Sequence, residues 1–412
     1  MIFKILPILL LVIILGEIYT CHLIYKYTKK RATVGAYLLL LIVIIASLML
    51  YFKGIDRAKG QTAESMHIMA LILLFLLPKI ALTILLFLED LIRVSKWSTN
   101  KFFLKHPIPN NRNKSLTKIA LSIAAFMALS IVYGVFFGKY NFKTNKETIV
   151  FQDLPASFDG LKILQLSDLH VGSWDNKNAI EKGIKQINQQ DYDLLLFTGD
   201  FVNTLASEAD PWIAVLQQIK TPKYGKYAVL GNHDYGEYVP WDSETKKEEN
   251  FRQIKENIEK SGFHLLLNEH IPLVKNTDTL YILGVENWGT NFKKAGDLAK
   301  TTGSISENAF KIVMTHDPSH WDAEIVGHKQ NYQLTLSGHT HGMQFGFNIP
   351  NLLEWSPAQY IYPEWGGLYQ KKNQYIYVNR GFGFHAYSGR VGIWPEITVL
   401  ELKKSGISSV KS

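Results

Sequence analysis

Four apolar runs, at roughly 2–22, 33–52, 67–88 and 116–138, occupy the first third of this 412-residue chain. Each is close to the ~20 residues that a helix needs to cross the hydrocarbon core of a bilayer. Past Lys139 no such run recurs. Short Val, Ile, Leu and Phe runs alternate there with polar stretches, as in a water-exposed α/β domain. The pattern divides the chain into a transmembrane anchor region (1–138), a linker with a first strand (139–159) and a globular domain (160–412).

Charge and cysteine narrow the partners. The net charge is +8, but basic residues such as Lys26, Lys29, Lys30 and Arg31 lie between the apolar runs, where a membrane accounts for them. The globular part has no Lys/Arg-rich helix and no nucleic-acid motif, so no nucleic-acid partner is expected. The only cysteine, Cys21, lies in the first run, which excludes disulfides within one chain and a multi-thiolate metal site. The first run lacks a small-residue cleavage pattern at Glu17-Ile18-Tyr19-Thr20 and reads as an uncleaved span. Lys79, beside Pro78, falls near the middle of the third run. It reads as a lysine in a kinked helix that snorkels or pairs with a group such as Glu17; a re-entrant hairpin split at Pro78 would invert the topology.

Five segments of the globular part share one design: LKILQLSDLH, DLLLFTGDF, KYAVLGNHD, FKIVMTHDP and LTLSGHTHG. Each is an apolar strand ending in a polar cluster. In α/β sheets the carboxyl ends of strands form the edge at which ligands bind. Ala179–Asn188 and Glu248–Lys260 have the helical spacing of crossovers. The rim would gather Asp168, His170, Asp200, Asn232, His316, His339 and His341. Carboxylate, imidazole and amide oxygen suit Mn²⁺, Fe, Zn²⁺ or Mg²⁺, and a central carboxylate can bridge two ions. Asp-x-His and His-x-His would project alternate side chains to one side of an extended segment, and Gly338 and Gly342 would let the backbone turn tightly. His264, His270, His320, His328 and His385 read as surface or core residues, with His385 in GFGFHAYSG the least firmly placed.

At these residues the chain resembles the calcineurin-like metallophosphoesterases, whose D-x-H, G-D-x, G-N-H-D/E, later H and G-H-x-H pattern is matched over roughly 160–345. With the lead-in LPASFDGLKILQLSDLH it looks most like the membrane-attached branch of that family. The resemblance implies an α/β four-layered sandwich of two mixed sheets flanked by helices, here preceded by four transmembrane helices. It implies two divalent metal ions, one held by Asp168, His170 and His341, the other by Asn232, His316 and His339, with Asp200 bridging. It further implies that His233 serves the leaving oxygen, with a pKa near neutrality, and that Asp234 fixes the orientation of its ring. The activity implied is metal-dependent hydrolysis of phosphate ester or pyrophosphate bonds, with the ligand set assembling from residues 140–412 alone.

For the substrate, a lipid-linked phosphoester is one reading. A lipid A precursor of the UDP-2,3-diacylglucosamine type is a narrower one, although the common soluble hydrolases of that compound have Arg in place of His233. Phe345, Phe347, Trp355, Tyr360, Tyr362, Trp365 and Tyr369 would line an apolar cleft, sit at headgroup level or form a core flap. A non-catalytic membrane sensor or assembly protein is the rival from another class, and His233 argues against it, because a structural centre has no use for a non-ligand histidine. Nothing in the sequence selects an oligomeric state. Lys and Arg are concentrated in the first and third loops between the runs (Lys26, Lys29, Lys30, Arg31; Arg93, Lys96, Lys101, Lys105, Arg112, Lys114, Lys118), against Lys53, Arg57 and Lys59 in the second. That asymmetry places both termini and the catalytic domain outside the cytoplasm.

Overall fold

The computed structural model describes residues 2–102, 110–349 and 352–406; Lys105 lies outside them. The four apolar runs form α1 (Ile2–Thr28), α2 (Arg31–Gly54), α3 (Ala63–Phe102) and α4 (Lys114–Phe136), each long and apolar enough to cross a bilayer. Helix α3 continues through Pro78 without reversing, so the third run is not a re-entrant hairpin. Lys79 Nζ meets the Glu17 carboxylate and lies 3.2 Å from the Tyr37 hydroxyl, which itself donates to Glu17. The pair neutralises two charges that neither helix could carry alone through an apolar medium.

Residues 57–67 and 134–406 belong to a second compact unit, which takes in the first turn of α3 and the last residues of α4. Among the described residues its strands run β1 (Lys143–Phe151), β2 (Leu161–Leu166), β3 (Leu194–Phe197), β4 (Lys226–Ala228), β5 (His264–Leu265), β6 (Glu269–Lys275), β7 (Asp278–Gly284), β8 (Phe310–Met314), β9 (Leu334–Ser337), β10 (Phe347–Ile349), β11 (Leu353–Trp355), β12 (Gly367–Lys371), β13 (Gln374–Val378) and β14 (Glu396–Lys404). Helices α5 (Lys177–Asn188), α6 (Ile213–Leu216), α7 (Glu244–Lys260) and α8 (Leu298–Thr302) connect them. One sheet has the order β1-β14-β2-β3-β4-β5, the other β12-β13-β9-β8-β7-β6. Both are mixed. β2 to β5 are parallel, and β14 is antiparallel to β2; β7, β8, β9 and β13 are parallel, with antiparallel edges at β6 and β12.

Period-two alternation builds the layers. Ile163, Leu194 and Leu196 face Ile312, Met314, Leu334 and Leu336 between the sheets. Leu164, Leu166, Leu195 and Phe197 turn the other way, onto Ile180 and Ile184 of α5 and Ile254 and Ile258 of α7. Val313 and Ile376 cover the far side with Leu298 and Trp321. Burial on both faces is why these strands read as nearly continuous apolar runs, and each fully buried aliphatic side chain contributes about 1.5–3 kcal/mol.

The catalytic unit is not confined to residues after the anchor. Met66, from the first turn of α3, is buried in the same core cluster as Phe142, Phe382 and Phe384. Ser388 N–H donates to Met66 O, and Ala386 N–H donates to Gln61 Oε1. Residues 140–412 therefore lack part of their own core, contrary to the expected self-sufficiency of that piece.

Because Lys79 and Glu17 neutralise each other, Lys79→Met should lower the thermal unfolding midpoint of the full chain in detergent, and Lys79→Met with Glu17→Gln should recover most of the loss. Equal midpoints for the single variant and the parent would show that the pair is not a stabilising contact.

Candidate metal centre

The five polar clusters converge because the C-terminal ends of β2, β3 and β4 in one sheet face those of β8 and β9 in the other. Asp168 and His170 follow β2, Asp200 follows β3, Asn232, His233 and Asp234 follow β4, His316 follows β8, and His339 and His341 follow β9. All nine residues singled out in the sequence meet here. The paired residues do not lie on extended segments as their alternation suggested. Asp168 (φ 52°), His170 (45°), Asp200 (59°), His339 (72°) and His341 (50°) all occupy the left-handed region, so each loop curls back and turns its side chain inward. Asp and His tolerate that region better than branched residues, but five instances at one rim are a local concentration of strain.

Two triads result. Asp168, His170 and His341 bring donor atoms within 4.8 Å of one another, as do Asp200, His316 and His339. Asp200 links them, its Oδ2 lying 3.0 Å from His316 Nε2 and 3.5 Å from His170 Nε2. Its Oδ1 accepts the His233 backbone N–H at 2.9 Å. Both Asp168 oxygens accept the His339 N–H, at 3.0 and 3.1 Å, and Oδ1 lies 3.2 Å from His341 Nε2.

Outer contacts set the imidazole orientations. His316 Nδ1 lies 2.8 Å from Thr198 O, His170 Nδ1 3.1 Å from Asn203 Oδ1, and His341 Nδ1 accepts from Arg390 Nη2 at 3.1 Å. His339 is reversed: Nδ1 faces His316 Nε2 at 3.3 Å, while Nε2 meets the Tyr362 hydroxyl at 2.8 Å. Asn232 Nδ2 donates to Tyr238. His170 Nε2, His341 Nε2 and Asn232 Oδ1 are then buried, inward-facing and without hydrogen-bond partners. Buried polar atoms are ordinarily paired. Donors of the right chemistry, aimed inward and otherwise unsatisfied, fit a pair of divalent cations.

His233 stands beside the triads, half-buried, its ring stacked on Tyr238 (4.3 Å between centroids) and edge-on to His170 (4.9 Å). Its Nδ1 lies 2.7 Å from Asn203 O. That carbonyl orients the ring, and the role expected of Asp234 needs correcting. The Asp234 carboxylate instead accepts backbone N–H groups from Asp200, Phe201, Val202 and Gly231 at 2.9–3.2 Å, pinning the β3 and β4 loops together. Asn203 carried a faint signal as the last residue of GDFVN.

His385 is the larger omission. Its ring stacks on His170 at 4.7 Å and meets His233 edge-on at 4.4 Å, and its donor atom lies within 4.8 Å of theirs. No strand-end motif carries it. It arrives on the loop after β13, which Arg390 secures by donating to Gly381 O and Gly383 O. His320, by contrast, is a core residue between Thr315, Glu324 and the Trp288 ring.

The electrostatics oppose the expected neutral titration of His233. Burial lowers it to about 4, even against the pull of Asp200. Burial also works against charge on His316, but the Asp200 carboxylate outweighs it and raises this imidazole to about 10. Asp200 itself is held well below the usual carboxylate range despite its burial, chiefly by the charge of His316 and then of His233. Burial and the neighbouring Asp200 push Asp234 up to about 7. Asp200 and His316 thus shift in opposite directions through their mutual attraction, while burial disfavours charge on His233.

Residues 161–343, from the start of β2 through His341, match the family model described as "Calcineurin-like phosphoesterase". Residues 1–139 match "Probable Calcineurin-like phosphoesterase, transmembrane domain". A Bacillus subtilis (strain 168) protein, "Uncharacterized metallophosphoesterase YkoQ", is 31% identical over 287 residues, 68% of this chain and 97% of that one. The chain belongs to the calcineurin-like metallophosphoesterases. Two further relatives are similar over much of the chain. A Danio rerio "Transmembrane protein with metallophosphoesterase domain" is 27% identical over 70% of this chain and 63% of its own length. "UDP-2,3-diacylglucosamine pyrophosphatase LpxG" of Chlamydia trachomatis (serovar D) is 29% identical over 56% of this chain and 81% of its own. The metallophosphoesterase described here is thus a membrane protein and a phosphoester hydrolase whose fold implies divalent metal ions, and His385 lies beyond the matched segment.

Gly338 supplies a direct test of the centre. A Cβ there would fall 1.9 Å from Ser167 Oγ and 2.3 Å from Asp168 Oδ2. Gly338→Ala should displace Asp168 and reduce bound metal, measured by elemental analysis after metal loading, while circular dichroism stays unchanged. Undiminished metal content would show that Asp168 is not held where the structure has it.

Proposed function

We propose that this protein is a membrane-anchored two-metal hydrolase of phosphate ester or pyrophosphate bonds in an amphiphilic, lipid-linked substrate, with its catalytic unit on the extracytoplasmic face. The observation that carries the chemistry is the sharing of buried Asp200 by two donor triads with a non-ligand imidazole alongside. Asp168, His170 and His341 would hold one ion and Asn232, His316 and His339 the other, Asp200 serving both. Such ions would supply Lewis-acid charge at phosphorus and a nucleophile available near neutral pH.

The chain's own residues do the rest. His233, with Nδ1–H on Asn203 O, rests neutral and presents Nε2 to the site. There it would take a proton from the attacking water and pass it to the departing oxygen, so that the O–H bond broken in the water is replaced by the one formed on the leaving group and no covalent enzyme intermediate is needed. His385 packs against His170 and His233, narrowing the approach to Nε2 and excluding water from that side.

The membrane side is argued from parity and charge. Residues 57–67, between α2 and α3, belong to the catalytic unit, and two crossings by α3 and α4 return the chain to the side of that loop. The two remaining loops are the ones rich in Lys and Arg, which favour the cytoplasm. The lipid A precursor reading has its support in the likeness to LpxG, and it would require the opposite topology to meet a nucleotide-linked substrate in the cytoplasm.

With Mn²⁺ and an aryl phosphodiester, the full chain in detergent should turn over substrate, and Asp200→Ala should abolish it. His233→Ala should keep most of the bound metal and lose at least about a hundredfold in kcat, the lower end for a proton-transfer group. Full activity in Asp200→Ala would sink the two-metal reading; parallel loss of metal and activity in His233→Ala would make that residue a ligand instead.

For the topology, protease added to intact spheroplasts should remove a C-terminal epitope. Protection until the membrane is permeabilised would reverse the assignment and favour the lipid A precursor.

A further inference from the structure

The ribbon formed by β10 and β11 is amphipathic in the wrong direction for a protein in water. Its antiparallel pairs are Phe347 with Trp355, Asn348 with Glu354 and Ile349 with Leu353. Directly opposed residues share a face, and faces alternate along each strand, so Phe347, Ile349, Leu353 and Trp355 lie on one face and Asn348 and Glu354 on the other. The polar face borders a cavity, with Glu354 at its half-exposed rim. Asn348 and Glu354 line a cavity of ≈ 390 Å³ with Asn145, Glu147 and Arg380, Glu354 lies 3.9 Å from Arg380, and Asn348 Oδ1 is buried. The apolar face looks outward. Phe347, Ile349 and Leu353 are each about half exposed, and Leu352 beyond the ribbon is 78% exposed. Soluble monomers rarely expose a contiguous apolar patch of this kind without something to cover it.

What covers it follows from where the ribbon is rooted. Gly346 N–H donates to Val391 O, and Val391 N–H donates to Gln344 O. The preceding residue, Arg390, donates its N–H to Gly134 O, in the last turn of α4. One short segment therefore joins the base of the ribbon to the end of a membrane-spanning helix. The contact is close, since a Cβ on Gly134 would lie 2.6 Å from Arg390 O. Phe136 and Phe137, at that helix end, are themselves exposed.

We infer that the 347–355 ribbon docks into the same bilayer that holds α4, its apolar face and Leu352 entering the boundary between headgroups and acyl chains. Depths of about 5–10 Å are usual for such apolar faces. Because Ser356 Oγ donates to Gly342 O at 2.6 Å, the docked ribbon fixes the His339/His341 loop close to the headgroup layer. The inference is independent of which bond the centre hydrolyses.

The test uses the full chain with Cys21, its only cysteine, replaced by Ser. Nitroxide labels are attached to Leu352→Cys, to Ile349→Cys and, as an aqueous control, to Glu307→Cys on an exposed turn of the catalytic unit. In phosphatidylcholine/phosphatidylglycerol vesicles, the labels at 352 and 349 should be relaxed more by oxygen than by a water-soluble nickel chelate, and the label at 307 the reverse. Free access of the chelate to 352 and 349 would overturn bilayer docking. Protection of both from oxygen and chelate alike would overturn it too, by identifying a protein surface as the cover. Two labelled positions keep the test decisive if one substitution impairs folding.

Discussion

Two carboxylates removed from water, Asp168 and Asp200, organise everything around them. Withdrawing an ion from water into a protein interior costs several kcal/mol even after relaxation, unless charge and hydrogen bonds return what water gave. Here the return comes from four separate loops. Asp200 takes the His233 N–H and the His316 and His170 rings; Asp168 takes the His339 N–H and faces the His341 ring. These loops belong to both sheets. The compensation of two side chains thus requires the carboxyl ends of β2, β3, β4, β8 and β9 to meet, and the left-handed turns at the ligand positions are the local cost of making them do so.

Neutrality is built in as deliberately as charge. His233 sits against the charged pair, yet its packing against His170, Tyr238 and His385 keeps it unprotonated at neutral pH. Asp234, one residue away, is spent on backbone amides and does not reach the ring. Two adjacent residues of one motif thus serve separate ends: His233 packs beside the two triads, and Asp234 holds the β3 and β4 loops in register.

What the sequence disclosed and what it hid follow from the range of the forces involved. Strand-end motifs are legible because period-two burial and local turn chemistry act within a few residues; the two sheets, the convergence of the polar strand ends and the Lys79–Glu17 pair could be anticipated. His385 could not, since its place depends on a loop after β13 held by Arg390, and nothing near it in sequence marks a site. The mistaken partner for His233 has the same origin: a carbonyl such as that of Asn203 leaves no residue-type signature. The extended geometry expected of Asp-x-His and His-x-His failed because ligand convergence overrides the preference of a strand end for extended backbone. The aromatic segment after His341 proved to be three things at once, with Trp365 in a small core, Tyr362 on His339, and Phe347 facing outward.

Met66 and Gln61 give the catalytic unit an unusual birth order. Their stretch is synthesised before α3 has been completed, while the partners that receive it, the Phe382–Phe384 core and the backbone at Ala386 and Ser388, follow more than three hundred residues later. The ribosome must therefore have placed both later helices, and nearly all of the soluble chain, before the His385 loop finds its seat. Until then, the groups beside the metal centre have no fixed wall on that side. A chain without the 61–66 stretch would keep every candidate ligand in its sequence and lose the seat on which the His385 loop rests.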